Sequence, residues 1–263
     1  MLITAAIVPG PPALVAELMG SAAAELDELR LAADQAVSRA VSDLATAWAA
    51  SPGSGLGAGS ASPQIVVVGR GEPAEFDAAG PVSFASFGRD VVVPAMIDGQ
   101  RSEPELPTPI MVARYLASRD LAAHPEHAGL WASARWLTTS GAAAFALGRR
   151  LAVGGISVAL ILVADGAACH GPKAPRAQDE RADRYDEGVC AALASGRAAR
   201  LAQIDVELGD ELGASGSQVW PVLVAAAAGD GIGKVHWSGA PYGVGWAVAS
   251  WRPITSSGVV TSS

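Results

Sequence analysis

The sequence predicts a single α/β domain in which a central, mostly parallel or mixed sheet is flanked by helices. Three apolar runs indicate core strands: LITAAIV at residues 2–8, IVVV at 65–68 and ISVALILVA at 156–164. Continuous apolar runs of this length are typical of strands that are buried on both faces of a sheet. Segments with helical periodicity lie between them, and strands that alternate with helices favour a parallel arrangement.

The first strand ends at Pro9-Gly10-Pro11-Pro12, because consecutive prolines do not continue a central strand. A long helix is predicted next, with Ser21 as its N-cap residue. Its apolar positions recur every three or four residues and form one stripe for the core. The stripe comprises Leu26, Leu29, Ala33, Val37, Ala40, Leu44 and Trp48.

The rest of the chain divides into shorter predicted elements around a flexible loop at 51–63. Short strands are expected in VSFASF and VVVPAMI, and a last strand in VGWAVASW at 244–251. Helical segments are expected at 109–121, 128–150, 179–199 and 208–228, the last interrupted by Pro221. The domain is predicted to span residues 1–253, followed by a disordered-type tail at 254–263.

Composition excludes several classes of function. The 263 residues carry a net charge of −8 without a basic patch, so nucleic acid is not an expected partner. The two cysteines are too few for a disulfide scaffold and predict free thiols in a reducing compartment. The first residues lack the basic segment of a signal peptide, and the apolar run at 151–164 is too short to span a bilayer. The protein is therefore expected to be cytoplasmic and not bound to a membrane.

Three loops follow predicted strands and could line one cleft if those strands are neighbours: PGPP, GRGEP and DGAACHG. The third loop carries the strongest candidates for chemistry. His170 is a candidate acid/base, since an imidazole exchanges protons near neutral pH, and Asp165 precedes it by five residues. Lys173 and Arg176 could attract an anionic group. The alternative is an ordinary Asp-Gly turn with an exposed histidine.

Other motifs predict less. GRGEPA fits G-x-G-x-x-A, but Pro73 leaves little room for the helix that a dinucleotide site requires. GDGIGK at 229–234 lacks the hydroxyl residue of a P-loop, since Val235 follows it. His124 and His127 are expected to be a solvated surface pair rather than metal ligands, and His236 is expected to be structural.

Three segments resemble the subunit-B family of class III extradiol ring-cleavage dioxygenases, whose superfamily includes the Memo proteins. They are ITAAIVPGPPALVAEL, DGAACHGPKAPRAQDERADRYDEGVCAALASG and APYGVGWAVASW. The resemblance implies the family's fold and makes His170 the counterpart of its acid/base histidine. It also implies an Fe(II) ligand where Gly10 stands, a second in the loop that contains Gly69 and Glu72, and a glutamate near the C-terminal segment.

None of those three ligands is present at the matching positions, so no metal or other cofactor is expected; Fe(II) would require ligands from elsewhere. The leading hypothesis is a dioxygenase-like protein that has lost its metal triad and could be a pseudoenzyme. One alternative is a metal-free protein that binds a small aromatic or anionic molecule in the same cleft, with Tyr242 as a further ligand-binding residue. Another is a partner-binding protein with a vestigial site. The family also suggests a homo-oligomer.

Overall fold

In the part of the chain that the structure describes, seven strands form one mixed sheet. The structure is a computed structural model that describes residues 1–51, 62–102, 105–227 and 229–254. Two sequence predictions, the flexible loop at 51–63 and the tail at 254–263, therefore fall almost wholly outside the described residues. The strands are β1 Leu2–Val8, β2 Gln64–Arg70, β3 Ala74–Phe76, β4 Val82–Ser83, β5 Val92–Val93, β6 Arg135–Thr139, β7 Val158–Val163, β8 Gly231–Gly239 and β9 Trp246–Pro253.

The strand order is β3-β6-β2-β7-β1-β9-β8, while β4 and β5 pair separately as a small ladder. The four strands from β6 to β1 run parallel to one another, and β3, β9 and β8 are antiparallel to their neighbours. The expectation of a partly parallel sheet flanked by helices is thus confirmed. Among the described residues, no helix is long and apolar enough to cross a membrane.

Helices cover both faces of the sheet. They are α1 Ala16–Met19, α2 Asp27–Ala49, α3 Thr108–Ala123, α4 Ala128–Ala132, α5 Gly141–Val153, α6 Arg181–Ser195, α7 Ala198–Leu201, α8 Val206–Glu211 and α9 Trp220–Ala226. Side chains alternate along each strand, so β7 contributes Leu160 to one core cluster and Ile161 to the other. The Ile161 cluster packs under α2 and α3, and the Leu160 cluster packs under α5, α6 and α9.

Two sequence predictions about helices are wrong. The predicted helix at 128–150 is instead α4, β6 and α5, because the segment Arg135–Thr139 pairs with β2 inside the sheet. Ser21 is not the N-cap of the long helix: residues Gly20–Leu26 form a 3₁₀ segment and α2 begins at Asp27. The apolar stripe of α2 is nevertheless buried as expected, and only Trp48 at its end is partly exposed.

The predictions near the end of the chain are confirmed in part. The expected helix at 208–228 is divided into α8, a 3₁₀ turn and α9. β9 confirms the last predicted strand. Its partner β8 is an additional strand that begins in the glycine-rich segment GDGIGK, so that segment is part of a β-ladder.

Helices α5 and α9 approach each other at Gly148, which allows one prediction about stability. A methyl group on Gly148 would lie 2.7 Å from the Ala225 Cβ atom and also press on the Val222 carbonyl. Gly148→Ala should therefore lower the free energy of unfolding by about 1–3 kcal/mol, because the helices must separate. Gly188 in α6 is the matched control, since a methyl group there meets nothing within 4 Å.

Gly188→Ala should raise stability by about 0.5–1 kcal/mol through helix propensity alone. Urea denaturation of both variants measures the difference. Equal effects of the two substitutions would contradict the close helix packing at Gly148.

Candidate functional site

The three loops that follow β1, β2 and β7 lie together, because these strands are neighbours and parallel. The Gly10 backbone N–H donates to the Asp165 Oδ1 atom at 2.9 Å and joins the first loop to the third. The Ser215 hydroxyl lies 3.4 Å from Asp165 Oδ2 and accepts from the Asp165 backbone N–H at 2.8 Å. Burial raises the pKa of the Asp165 carboxyl from 3.8 to about 6, although the hydrogen bonds from Gly10 and Ser215 oppose the rise.

The space beside these loops is filled by protein. A Cβ atom on Gly69 would lie 2.5 Å from the Pro109 Cβ atom, at the start of α3. A Cβ atom on Gly10 would lie 2.8 Å from Val163 Cγ1. The two glycines therefore permit close packing of the loops against α3 and β7, and a larger side chain at either position requires the neighbours to move.

The residues in these loops do not fit the iron site that the resemblance implies. Gly10 and Gly69 offer no donor atoms, and Glu72 is exposed. Within the described part of the chain, the one group of three His, Cys, Asp or Glu side chains close enough to share a metal ion is His124, Glu126 and His127. The implied ligand position at Gly10 is thus packed as glycine, and the loop from Gly69 to Glu72 contains no histidine, so these loops do not form the implied iron site.

His170 instead lines a cavity of about 310 Å³ between α6, the β8–β9 ladder and the loop after β7. We refer to it as the His170 cavity. Its polar lining includes His170, Asp183, Asp186 and Glu187, and its apolar lining includes Val189, Trp220 and Trp246. Among the described residues, no lysine or arginine lines it.

The imidazole of His170 is held between two carboxylates. Its Nδ1 atom lies 2.8 Å from Asp183 Oδ1, and its Nε2 atom lies 2.7 Å from Asp186 Oδ2. The Asp183 side chain is 86 % exposed, whereas the Asp186 side chain is 18 % exposed. The inner carboxylate therefore fixes the ring, while the outer one can be exchanged for another hydrogen-bonding group.

Two glycines make room for Asp186. A Cβ atom on Gly166 or Gly245 would overlap the Asp186 carboxylate. The same carboxylate accepts the Ala167 backbone N–H at 3.0 Å. The Asp186 carboxylate therefore packs against backbone atoms of the loop after β7 and of the turn before β9. It fits there because both neighbouring residues are glycines.

Burial raises the pKa of Asp186, and the hydrogen bonds from Ala167 and His170 partly offset that rise. A neutral imidazole has one donor nitrogen and one acceptor nitrogen, so it cannot donate to two ionised carboxylates at once. A proton held between His170 and Asp186 satisfies both contacts.

The other predicted site residues lie outside the His170 cavity. Lys173 is exposed, and Arg176 Nη1 donates to the carbonyls of Asp210 and Glu211 at 2.9 and 3.0 Å. The Tyr242 hydroxyl donates to Glu25 Oε2 at 2.7 Å, and its ring packs edge-on against Trp246. Asp165 is joined to the Gly10 loop as described above. Of the five predicted residues, only His170 lines this cavity.

Asp186 is the site residue that sequence reasoning misses. Asp183 and Asp186 are three residues apart on α6, so their side chains share one face of the helix. The sequence signal for this pair is the spacing of two aspartates on one helix face, directly after a loop that contains a histidine. The contact of Asp186 with two glycines that are distant in sequence depends on tertiary structure, so no local sequence pattern predicts it.

The structure also bears on three other sequence predictions. Both cysteines are free thiols, as expected. His236 Nε2 is 2.9 Å from the Ser250 hydroxyl on the neighbouring strand, a contact within the ladder. The expected solvated pair at His124 and His127 is wrong for His127, whose side chain is 4 % exposed.

Neither the family models nor the curated proteins compared with this chain match it. The resemblance to the extradiol dioxygenases therefore stays a prediction from the quoted segments.

Proposed function

We propose that this protein binds a small molecule in the His170 cavity without the help of a metal ion. The ligand has an apolar or aromatic body and a positively charged or hydrogen-bond-donating end. One observation carries the proposal: an imidazole held between two carboxylates stands in the wall of a cavity lined by two tryptophans. A volume of about 310 Å³ is at the small end of the range for ligand pockets, about 300–1,000 Å³.

The charge of the lining supports a cationic group on the ligand. Asp183, Asp186 and Glu187 contribute three carboxyl groups, against the single imidazole of His170. Trp220 and Trp246 add aromatic surface to the lining, which suits an aromatic ligand. Of the two ligand types that the sequence predicts, this lining favours the aromatic one and repels an anion.

His170 acts in this proposal as the group that orients the carboxylates of Asp183 and Asp186 at the cavity wall. Asp186 holds Nε2, so the ring presents Nδ1 in a fixed direction. A positively charged or donor group of the ligand gains charge-assisted hydrogen bonds to the carboxylates of Asp183 and Asp186 that flank the ring. The same geometry would serve an acid/base step on a bound ligand, which makes an enzymatic role an extension of the binding role.

We also propose that the architecture is of the extradiol dioxygenase subunit-B type. Two features support it beside the quoted sequence segments: the adjacency of the three loops that follow β1, β2 and β7, and a histidine after β7. Ring cleavage with Fe(II) is not part of the proposal, because Gly10 and Gly69 supply no ligands. A cytoplasmic location, a homo-oligomer and the absence of a nucleic-acid partner stay predictions from the sequence.

Three probes of matched shape test the binding proposal: benzylammonium, benzyl alcohol and benzoate. Titration calorimetry with the full chain should show the order of affinity benzylammonium, benzyl alcohol, benzoate. Asp186→Asn should weaken benzylammonium binding about tenfold or more, since a hydrogen bond to a charged group is worth about 1.5–3 kcal/mol. The asparagine can still accept the Ala167 N–H, so the fold is preserved.

Glu207→Gln is the matched control, because Glu207 is an exposed carboxylate in the first turn of α8, outside the cavity lining. It should leave binding unchanged. Binding of none of the probes would overturn the proposed function and favour a partner-binding protein with a vestigial site. Tightest binding of benzoate would overturn the assignment of charge.

A further inference from the structure

A second group of side chains lies away from the His170 cavity, where α3 ends. His124 is the C-cap residue of α3, and Glu126 and His127 follow it in a single 3₁₀ turn. One ligand atom from each of these three residues lies within 4.8 Å of those of the other two. Two imidazoles and one carboxylate are a donor set that Zn²⁺ takes in proteins.

The separation between two of the ligand atoms suits a tetrahedral ion. His124 Nδ1 and Glu126 Oε1 are 3.4 Å apart, which matches the edge of a tetrahedron whose bonds are about 2.1 Å long. The side chains of His124 and Glu126 are 39 % and 69 % exposed and free to rotate toward an ion. The rings of His124 and His127 already lie stacked, with their centroids 5.0 Å apart.

His127 is the fixed member of the group, and an independent contact orients it. Its Nδ1 atom is 2.9 Å from Asp120 Oδ2, and that oxygen also accepts the Trp131 indole N–H at 2.7 Å. Both side chains of the His127–Asp120 pair are almost fully buried, at 4 % and 1 % exposure. Asp120 thus holds the proton on Nδ1 and leaves the lone pair on Nε2.

A buried carboxylate that receives Nδ1–H of a histidine is the usual outer partner of a zinc-binding imidazole. The Nε2 atom of His127 is 3.3 Å from the Ser42 hydroxyl, a neutral partner that an ion can replace. We propose that His124, Glu126 and His127 bind one Zn²⁺ ion, with Asp120 as the positioning residue for His127. Three protein ligands leave the fourth position of the ion to water.

Titration of the metal-free, untagged full chain with Zn²⁺ tests the proposal by calorimetry, with metal analysis after gel filtration. We expect one Zn²⁺ per chain and a melting temperature that rises with the zinc concentration, because the ion binds only the folded state. His124→Gln and Glu126→Gln should each weaken binding more than about tenfold. Both residues are partly or largely exposed, so neither change threatens the fold.

His236→Gln is the control, since it removes a histidine from β8, away from this turn. It should leave zinc affinity and stoichiometry unchanged. Absence of stoichiometric Zn²⁺, or zinc binding that survives both His124→Gln and Glu126→Gln, would overturn the proposal. None of these variants touches the His170 cavity lining, so the result is independent of the proposed ligand there.

Discussion

Replacement of Arg114 by methionine should lower the free energy of unfolding by about 3–5 kcal/mol. The side chain of Arg114 on α3 is completely buried and meets backbone carbonyls rather than a carboxylate. It donates to the carbonyls of Ala78, Gly80 and Pro94, the last two at 3.1 and 2.9 Å. Burial lowers its pKa to about 10, so it remains charged at neutral pH.

The loss is large because three carbonyls, two of them on the buried residues Ala78 and Gly80, lose a charged donor at once. Recovery of the cost of burying the guanidinium offsets only part of that loss. These carbonyls lie in the segment that carries β4 and β5, so Arg114 attaches that small ladder to α3. Urea denaturation of the variant at neutral pH measures the effect.

Arg119 on the same helix is the matched control. Its guanidinium pairs with Asp34 at 2.6 Å but is 44 % exposed, so solvent screens the pair. Arg119→Met should therefore cost less than about 1 kcal/mol. Equal losses for the two variants would contradict the role assigned to burial at Arg114.

Asp165→Asn should make the protein more stable at neutral pH, by up to about 3 kcal/mol. Burial raises the pKa of Asp165 in the folded state to about 6, above the value of 3.8 for an exposed carboxyl. The folded state therefore keeps this proton to higher pH than the unfolded state does. The stability contributed by the protonated group is present below about pH 4 and is lost as the pH rises through 6. The loss is about 1.4 kcal/mol for each pH unit that separates the folded and unfolded pKa values.

The asparagine variant has no proton to lose, so its advantage over the parent should appear between pH 4 and 6 and vanish below pH 4. The asparagine oxygen can still accept the Gly10 N–H. Asp179→Asn is a control that should change stability in the opposite direction, because hydrogen bonds from Arg181 lower the pKa of that partly exposed carboxyl to about 2. Urea denaturation between pH 4 and 7.5 measures both, and an Asp165→Asn variant less stable than the parent at pH 7 would refute the assignment.

Strands with strong local signals can be predicted from the sequence, whereas those set by tertiary contacts cannot. β1, β7 and the core of β2 are continuous apolar runs, and the structure places them side by side. The sequence of β6 is RWLTT, and helical segments lie on both sides of it, so the whole stretch resembles one continuous helix. Its two threonines are the available signal for a strand. β8 is rich in glycine and lies at the sheet edge, so its pairing with β9 decides its conformation.

In the candidate site, too, some residues have a local sequence signal and others depend on tertiary contacts. His170 is predictable because it follows a core strand, and loops at that position carry function in α/β folds. Its partner Asp186 depends on two glycines that lie 20 and 59 residues away along the chain, Gly166 and Gly245. The other predicted residues are candidates because they are near His170 in sequence or lie in the quoted segments. Arg176 instead donates to backbone carbonyls, and the Tyr242 hydroxyl donates to Glu25. Lys173, the remaining one, is exposed.

The position of β1 in the sheet has a consequence for synthesis on the ribosome. β1 pairs with β7 on one side and β9 on the other, and Leu2 lies opposite Val158. At about 5–20 residues per second, roughly 8–30 s separate translation of these two strands. During that interval the LITAAIV segment has apolar side chains on both faces and unpaired backbone edges. Nascent chains should therefore be most prone to aggregation, and most dependent on chaperones, until β7 has emerged.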